Sequence, residues 1–349
     1  MFKALHTSII LAMILLSGEA FSQAVPGKKP VKIIYDTDID LDVDDVGALA
    51  LLHALADNGE AEILGVICDS PTPYGATTIS SINRYYKHPE IPIGDMPVEE
   101  YIYDKSFTEK YHGYAVNFPY GHFNVPMFGR FDHGIKSRKD VWNGMQLYRK
   151  LLSEAPDKSV TIAAVGLVTI LEDLMYSKPD KYSKLTGMEL IKKKVDQLVC
   201  MVGASEPRRE KIDFNWGFDG RGDAERVSRQ WPTPIVIMPL GSAIKTGARL
   251  TTETPETNPV RAAYELFLAK EKTKSRSSWD QLTVLYAVRG AGDLFTEVSG
   301  KRLEFTETPV LYEWREVQQG EISHVLLKQV ASNEILQKIV EDLMVQAPK

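Results

Sequence analysis

The chain has 349 residues, 44% hydrophobic and 25% charged, with a formal net charge of −6. This is a globular mixture, long enough for one large α/β core or two smaller ones. Mild acidity without a long Lys/Arg cluster excludes the electrostatic footprint of a nucleic-acid-binding protein, and Lys192-Lys193-Lys194 reads as a solvated face.

Residues 1–22 read as a secretory signal. Lys3 supplies a positive start, Ile9 to Leu16 an apolar stretch too short to span a bilayer, and Ala20-Phe21-Ser22 a small-x-small cleavage site. No later segment is long and apolar enough for a membrane helix, so the expectation is an exported protein, periplasmic or secreted, without a membrane partner. Residues 23–30 form a Pro/Gly/Lys linker, and 31–349 the folded domain. Cys68 and Cys200, each near the end of a predicted strand, read as buried free thiols; no Cys/His zinc spacing appears.

The β-branched run Val31-Lys32-Ile33-Ile34-Tyr35 predicts a buried strand, and the Ala/Leu-rich segment from Val46 to Leu55 a helix. Between them lie Asp36, Asp38, Asp40, Asp42, Asp44 and Asp45. Six carboxylates in ten residues repel one another strongly unless a cation sits among them. Hard divalent cations take oxygen ligands, and Ca2+ tolerates an irregular loop. The bland alternative is a solvated acidic turn with Asp44 as helix cap. An EF-hand is excluded: counted from Asp36, its Gly and Glu positions hold Leu41 and Gly47, and a strand precedes the loop.

Strands are expected at Ala61 to Cys68 and Ile91 to Gly94, with a helix from Gly75 to Tyr86 between them. Such alternation predicts an open, mostly parallel, Rossmann-like α/β sheet flanked by helices, with ligands at the carboxyl ends of its strands. Periodicity is then lost from Asp95 to Asp132, a stretch rich in Tyr and Phe that also holds His112 and His122. Its length and aromatic content read as a flap over the acidic site. A helix over Lys139 to Glu154, a strand over Ser159 to Val165 and a helix over Leu167 to Tyr176 follow. Val195 to Val202 is a strand leading into Gly203-Ala204, Ala224 to Gln230 a helix, and Pro234 to Met238 a strand. A helix begins near Ser277-Ser278-Trp279-Asp280. The tail shows β-like stretches near Val310 to Tyr312 and His324 to Leu327, then a helix from Asn333 to Met344.

The strand, acidic loop and helix resemble the signature of the inosine–uridine-preferring nucleoside hydrolase family. Its longer bacterial form, D-T-D-x-x-x-D-x-D-D, is matched by Asp36, Asp38, Asp42, Asp44 and Asp45, with Asp40 where Gly is common. Val165-Gly166-Leu167-Val168-Thr169 resembles the family's V-G-P-L-T turn, with Leu167 replacing Pro. Asp213-Phe214-Asn215 resembles its E-F-N, with Asp one methylene shorter than Glu. An Asn that many members carry just upstream is missing, where Glu206, Pro207 and Arg208 stand. Trp279 occupies the place of the His found before the family's distal Asp, as in the purine-preferring branch.

The resemblance implies Ca2+-dependent hydrolysis of the N-glycosidic bond of a ribonucleoside. Asp38, Asp45, Asp280 and the Thr169 main-chain carbonyl would ligate Ca2+, and Asp38 would also serve as catalytic base. Asp44, Asp213 and Asn215 would hold the ribose hydroxyls and Trp279 would stack on the base, which gives a purine preference. Asp36 and Asp42 would orient the ligands. The expected partner is a small-molecule nucleoside, and family habit implies a homo-oligomer. The rival is a Ca2+-dependent sugar- or nucleoside-binding protein without turnover. A phosphatase of the haloacid-dehalogenase type is disfavoured, because Asp40 stands where that chemistry wants Thr or Val.

Overall fold

The central strand β1, Val31–Thr37, shows why both faces of the sheet are apolar. Successive side chains of a strand point to opposite faces. Ile33 and Tyr35 join one hydrophobic cluster and Ile34 the other, all fully buried. A sheet covered by helices on both sides has no solvent face, so its strands read as continuous apolar runs. The computed structural model describes residues 29–40, 42–70, 74–96, 123–204, 208–209, 213–217, 222–306 and 311–349. The expected leader and most of the expected flap, including Tyr120, His112 and His122, lie outside the described residues.

Eleven strands form the main sheet among the described residues. β1 lies between β2, Ala61–Cys68, and β5, Val160–Ala164, both parallel to it. Beyond β2 come β3, Ile93–Asp95, and β4, Trp142–Asn143. Beyond β5 come β6, Val195–Met201, then β8, Ile235–Met238, then β13, His324–Gln329, all parallel. The far edge is antiparallel: β11, Phe295–Phe305, then β12, Tyr312–Glu316, then β7, Arg208–Arg209. A separate two-stranded ribbon joins β9, Lys245–Thr246, to β10, Arg276–Ser277.

After β1 the chain builds outward through β2, β3 and β4, then returns to the other side of β1 with β5. The connections therefore diverge at the carboxyl ends of β1 and β5, where an open α/β sheet forms its ligand crevice.

One face is covered by α1 (Asp44–Asp57), α2 (Gly75–Tyr85), α8 (Pro259–Glu271), α9 (Trp279–Arg289) and α10 (Asn333–Met344). A short helix, α3 (Asn124–Arg130), joins that face through Met127. The other carries α4 (Gly144–Glu154), α5 (Thr169–Tyr176), α6 (Gly187–Lys194) and α7 (Asp223–Gln230). Helix α1 is buried from Asp44 through Leu55, as its all-round apolar composition requires. Gly47 admits α8 and α9 closely: a Cβ there would fall 2.4 Å from the Tyr264 hydroxyl and 2.5 Å from Gln281 Nε2.

Several expected elements shift at their ends. The helix expected from Lys139 begins only at Gly144, where Asn143 Oδ1 accepts the Gln146 N–H at 3.0 Å and caps it. The residues before it form a 3-10 turn, Arg138–Asp140, and strand β4. The third strand spans Ile93–Asp95 rather than Ile91 to Gly94. The eleven-residue β11 was absent from the sequence reading, because its middle is exposed and shows no alternation.

Burial sets one pH dependence. His53 on α1 donates from Nε2 to Asn83 Oδ1 at 2.9 Å and stacks on Tyr86. Burial lowers its pKa to about 4, and that of His324 to about 3. The unfolded chain then binds protons first, so this contribution is full above pH 6.5 and is lost as pH falls toward 4. Urea midpoints with saturating Ca2+ should fall between pH 7 and 4.5, and fall less for His53→Gln.

Candidate metal centre

Strand β1 delivers Asp36 and Thr37 inside the sheet and Asp38 just beyond its carboxyl end. The chain then turns into α1, whose first turn holds Asp44 and Asp45. Asp44 does not cap that helix. The N-cap residue is Val43, with no side-chain cap bond, so the bland reading of the motif fails at this position. Helix α9 packs on α1 and carries Asp280 in its own first turn. Carboxylate oxygens of Asp44, Asp45 and Asp280 lie within 4.8 Å of one another. All three are buried, at 2%, 2% and 3% exposure, so water does not screen their mutual repulsion.

Hydrogen bonds hold the three in place. Thr37 Oγ1 donates to Asp45 Oδ1, Tyr35 donates to the Asp45 carbonyl at 3.0 Å, and the Asp280 N–H donates to Asp44 Oδ2 at 3.4 Å. Two helix N-termini add their positive dipole ends. These contacts are too few to offset the loss of water. Burial, followed by repulsion from neighbouring carboxylates, holds Asp38, Asp44, Asp45 and Asp280 well above the usual carboxylate range. The donor set is oxygen only and densely anionic, which fits a hard divalent cation such as Ca2+.

Asp38 stands beside this group of three rather than within it. Its charge is nevertheless the strongest charge acting on Asp45. Asp44, Asp45 and Asp280 ride on two packed helix starts, whereas Asp38 precedes the loop. Asp36 is fully buried beneath it and accepts the Tyr148 hydroxyl at 2.5 Å; burial raises its pKa to about 7. Asp42 points to Arg276, whose Nε lies 2.9 Å from Oδ1.

The turn after β5 lies against β1. Val165 N–H donates to the Asp36 carbonyl at 2.8 Å, and a Cβ on Gly166 would fall 2.4 Å from the Asp38 nitrogen. Only Gly permits that approach. Thr169 follows as the buried first residue of α5. Asn215 also reaches this turn, its Nδ2 donating to the Val165 carbonyl at 2.5 Å. Asp213 accepts the Gly203 N–H at 2.6 Å and the Trp216 N–H at 3.0 Å, so both its oxygens serve the backbone. Trp279 opens α9, half-buried, one residue before Asp280.

Sequence reading missed three contributors. Asp69, directly after β2, is fully buried and accepts the Ile170 N–H at 3.1 Å, with no partner for Oδ1 among the described residues. Its signal was available: it ends a strand beside β1. Asn124 donates to the Ile39 carbonyl at 2.6 Å and to Asp40 Oδ1 at 3.1 Å, steadying the acidic loop from α3. Arg276 does the same from β10. No local pattern marks either of these two.

The charge balance yields a prediction of opposite signs. Without metal, Asp280→Asn relieves repulsion and should raise the melting temperature by a few degrees. In excess Ca2+ the order should reverse, because only the wild type gains binding energy. Calorimetric titration should show Ca2+ affinity at least about tenfold weaker in Asp280→Asn and Asp45→Asn, a loss near 1.4 kcal/mol or more.

No protein-family model matches the chain, and no curated relative does. Solved structures do. A plant nucleoside hydrolase, PpNRh1, superimposes with a TM-score of 0.65 at 15% identity, covering 90% of this chain and 99% of its own. A purine-preferring ribonucleoside hydrolase from Gardnerella vaginalis gives 0.63 at 15%, covering 90% and 98%. The type III effector protein XopQ, solved with adenosine diphosphate ribose, gives 0.65 at 14%, covering 97% and 99%. At these identities the likeness is one of architecture: the mostly parallel sheet with its flanking helices is the nucleoside hydrolase fold.

Proposed function

We propose that this protein hydrolyses the N-glycosidic bond of ribonucleosides, releasing ribose and a free base, and that it does so with Ca2+ and after export. The observation that carries this reading is the buried convergence of Asp44, Asp45 and Asp280 at the carboxyl end of β1, on a nucleoside hydrolase fold. Asp38, Asp45 and Asp280, with the Thr169 carbonyl, would hold the ion. When bound, it supplies a more acidic water and an anchor for vicinal hydroxyls.

The chain's own residues do the rest. Asp38 accepts the proton of the attacking water at its carboxylate. The new bond joins that oxygen to C1′ while the C1′–N bond breaks through an oxocarbenium-like ribose. Asp44 and Asn215 hold ribose hydroxyls, with Asp213 beside them, which fixes C1′ against the water. Trp279 stacks on the departing base, favouring purines; the base nitrogen takes a proton from solvent water, and Asp38 returns the proton it accepted to solvent.

One observation favours a second reading. Both Asp213 oxygens and the Asn215 amide nitrogen are taken up by the backbone. A Ca2+-dependent binding protein for a riboside, without turnover, would tolerate that occupation.

Ribose release from inosine, guanosine, adenosine, uridine and cytidine, with and without EDTA, separates the two. The expected result is Ca2+-dependent release that falls by roughly 10²–10⁴-fold in Asp38→Asn, as for loss of a general base. Nucleoside binding with no release would favour the binding protein.

A further inference from the structure

We propose that Arg276 is a positioning residue that fixes the Trp279 ring and thereby sets the base preference of the site; this rests on the hydrolase reading above. Arg276 lies on β10, three residues before Trp279, and is half-buried. Its guanidinium grips Asp42: Nε lies 2.9 Å from Oδ1 and 3.1 Å from Oδ2, and Nη2 also donates to Oδ2. Nη1 reaches Glu271 at 3.5 Å. The same planar cation lies over the Trp279 ring, 5.0 Å from its centroid, and 5.5 Å from that of Phe267.

Two carboxylates already answer this cation, so it has no charge to spare for an anionic substrate. What remains is geometry. A rigid bidentate fork cannot move without giving up Asp42, and a cation above an indole holds the ring by its quadrupole. The backbone beneath is pinned separately, because a Cβ on Gly241 would fall 2.6 Å from the Trp279 Cα and Ser278 N–H donates to the Gly241 carbonyl. One ring face is thus occupied by guanidinium, and a base is left the other. Arg276 also ties the acidic loop, through Asp42, to the start of the helix that carries Asp280. A single side chain therefore registers the base platform against the carboxylates that hold the sugar end.

The test measures kcat/KM for inosine and for uridine with the Ca2+-loaded full chain, in wild type, Arg276→Ala, Arg276→Lys and Asp42→Asn. Losing a fixed stacking platform penalises the purine. The inosine-to-uridine ratio should fall about tenfold in Arg276→Ala, within the range of one cation–π contact. Arg276→Lys keeps the charge but not the fork and should recover part of the ratio. Asp42→Asn should shift the ratio the same way. If Arg276→Ala folds poorly, Arg276→Lys and Asp42→Asn carry the test. A purely structural role would lower both substrates together and leave the ratio intact, and that result overturns the proposal while the hydrolase reading stands. If the wild type neither cleaves nor binds any nucleoside, the hydrolase reading fails and the proposal falls with it.

Discussion

Mutual repulsion among buried carboxylates is the constraint around which this molecule is arranged. Asp36, Asp38, Asp44, Asp45, Asp69 and Asp280 are all withdrawn from water near the ends of β1 and β2 and the starts of α1 and α9. Each such group is expensive to bury, and a stable fold retains it only where something else gains. The surrounding structure reads as a set of answers to that cost. The Asp280 N–H at the start of α9 donates to Asp44, Thr37 donates to the Asp45 carboxylate, and Tyr148 supports Asp36 from the opposite face. None of these contacts brings a full positive charge to the three central carboxylates. An ion does.

The sheet contributes position rather than charge. Because the chain order reverses between β1 and β5, two loops leave the same edge in opposite directions and open a crevice. Gly166 lets the β5 turn lie on the backbone of Asp38, so residues from distant strands share one mouth. The likeness to nucleoside hydrolases at 15–16% identity is a likeness of this frame.

Much of this was legible in the amino-acid order, for physical reasons that differ by element. β1 and α1 were plain, because burial on all sides demands unbroken apolar runs and the six Asp between them break that run abruptly. Asp280 was not plain by itself. A carboxylate in a helix's first turn is ordinary, and only its register with the earlier motifs singled it out. Asn124 and Arg276 carried no signal, because each acquires its meaning from a loop far away in the chain. The start of α4 was misplaced because Lys139 and Asp140 suit a helix, whereas the actual start is decided by the Asn143 side chain. β11 was missed for the reverse reason: a strand exposed through its middle has no pattern to betray it.

The hydrogen bond between Asp280 and Asp44 spans 236 residues of sequence. Contacts so distant in the chain form late, since the loop they close must first lose its freedom. On these grounds the carboxylate cluster belongs to the late contacts of the fold. It is assembled when α9 docks on α1, and at that moment like charges are brought together for the first time. Were a cation held there, docking of the two helices and its capture would be one event, and the ion would act as a closing clasp of the folding reaction.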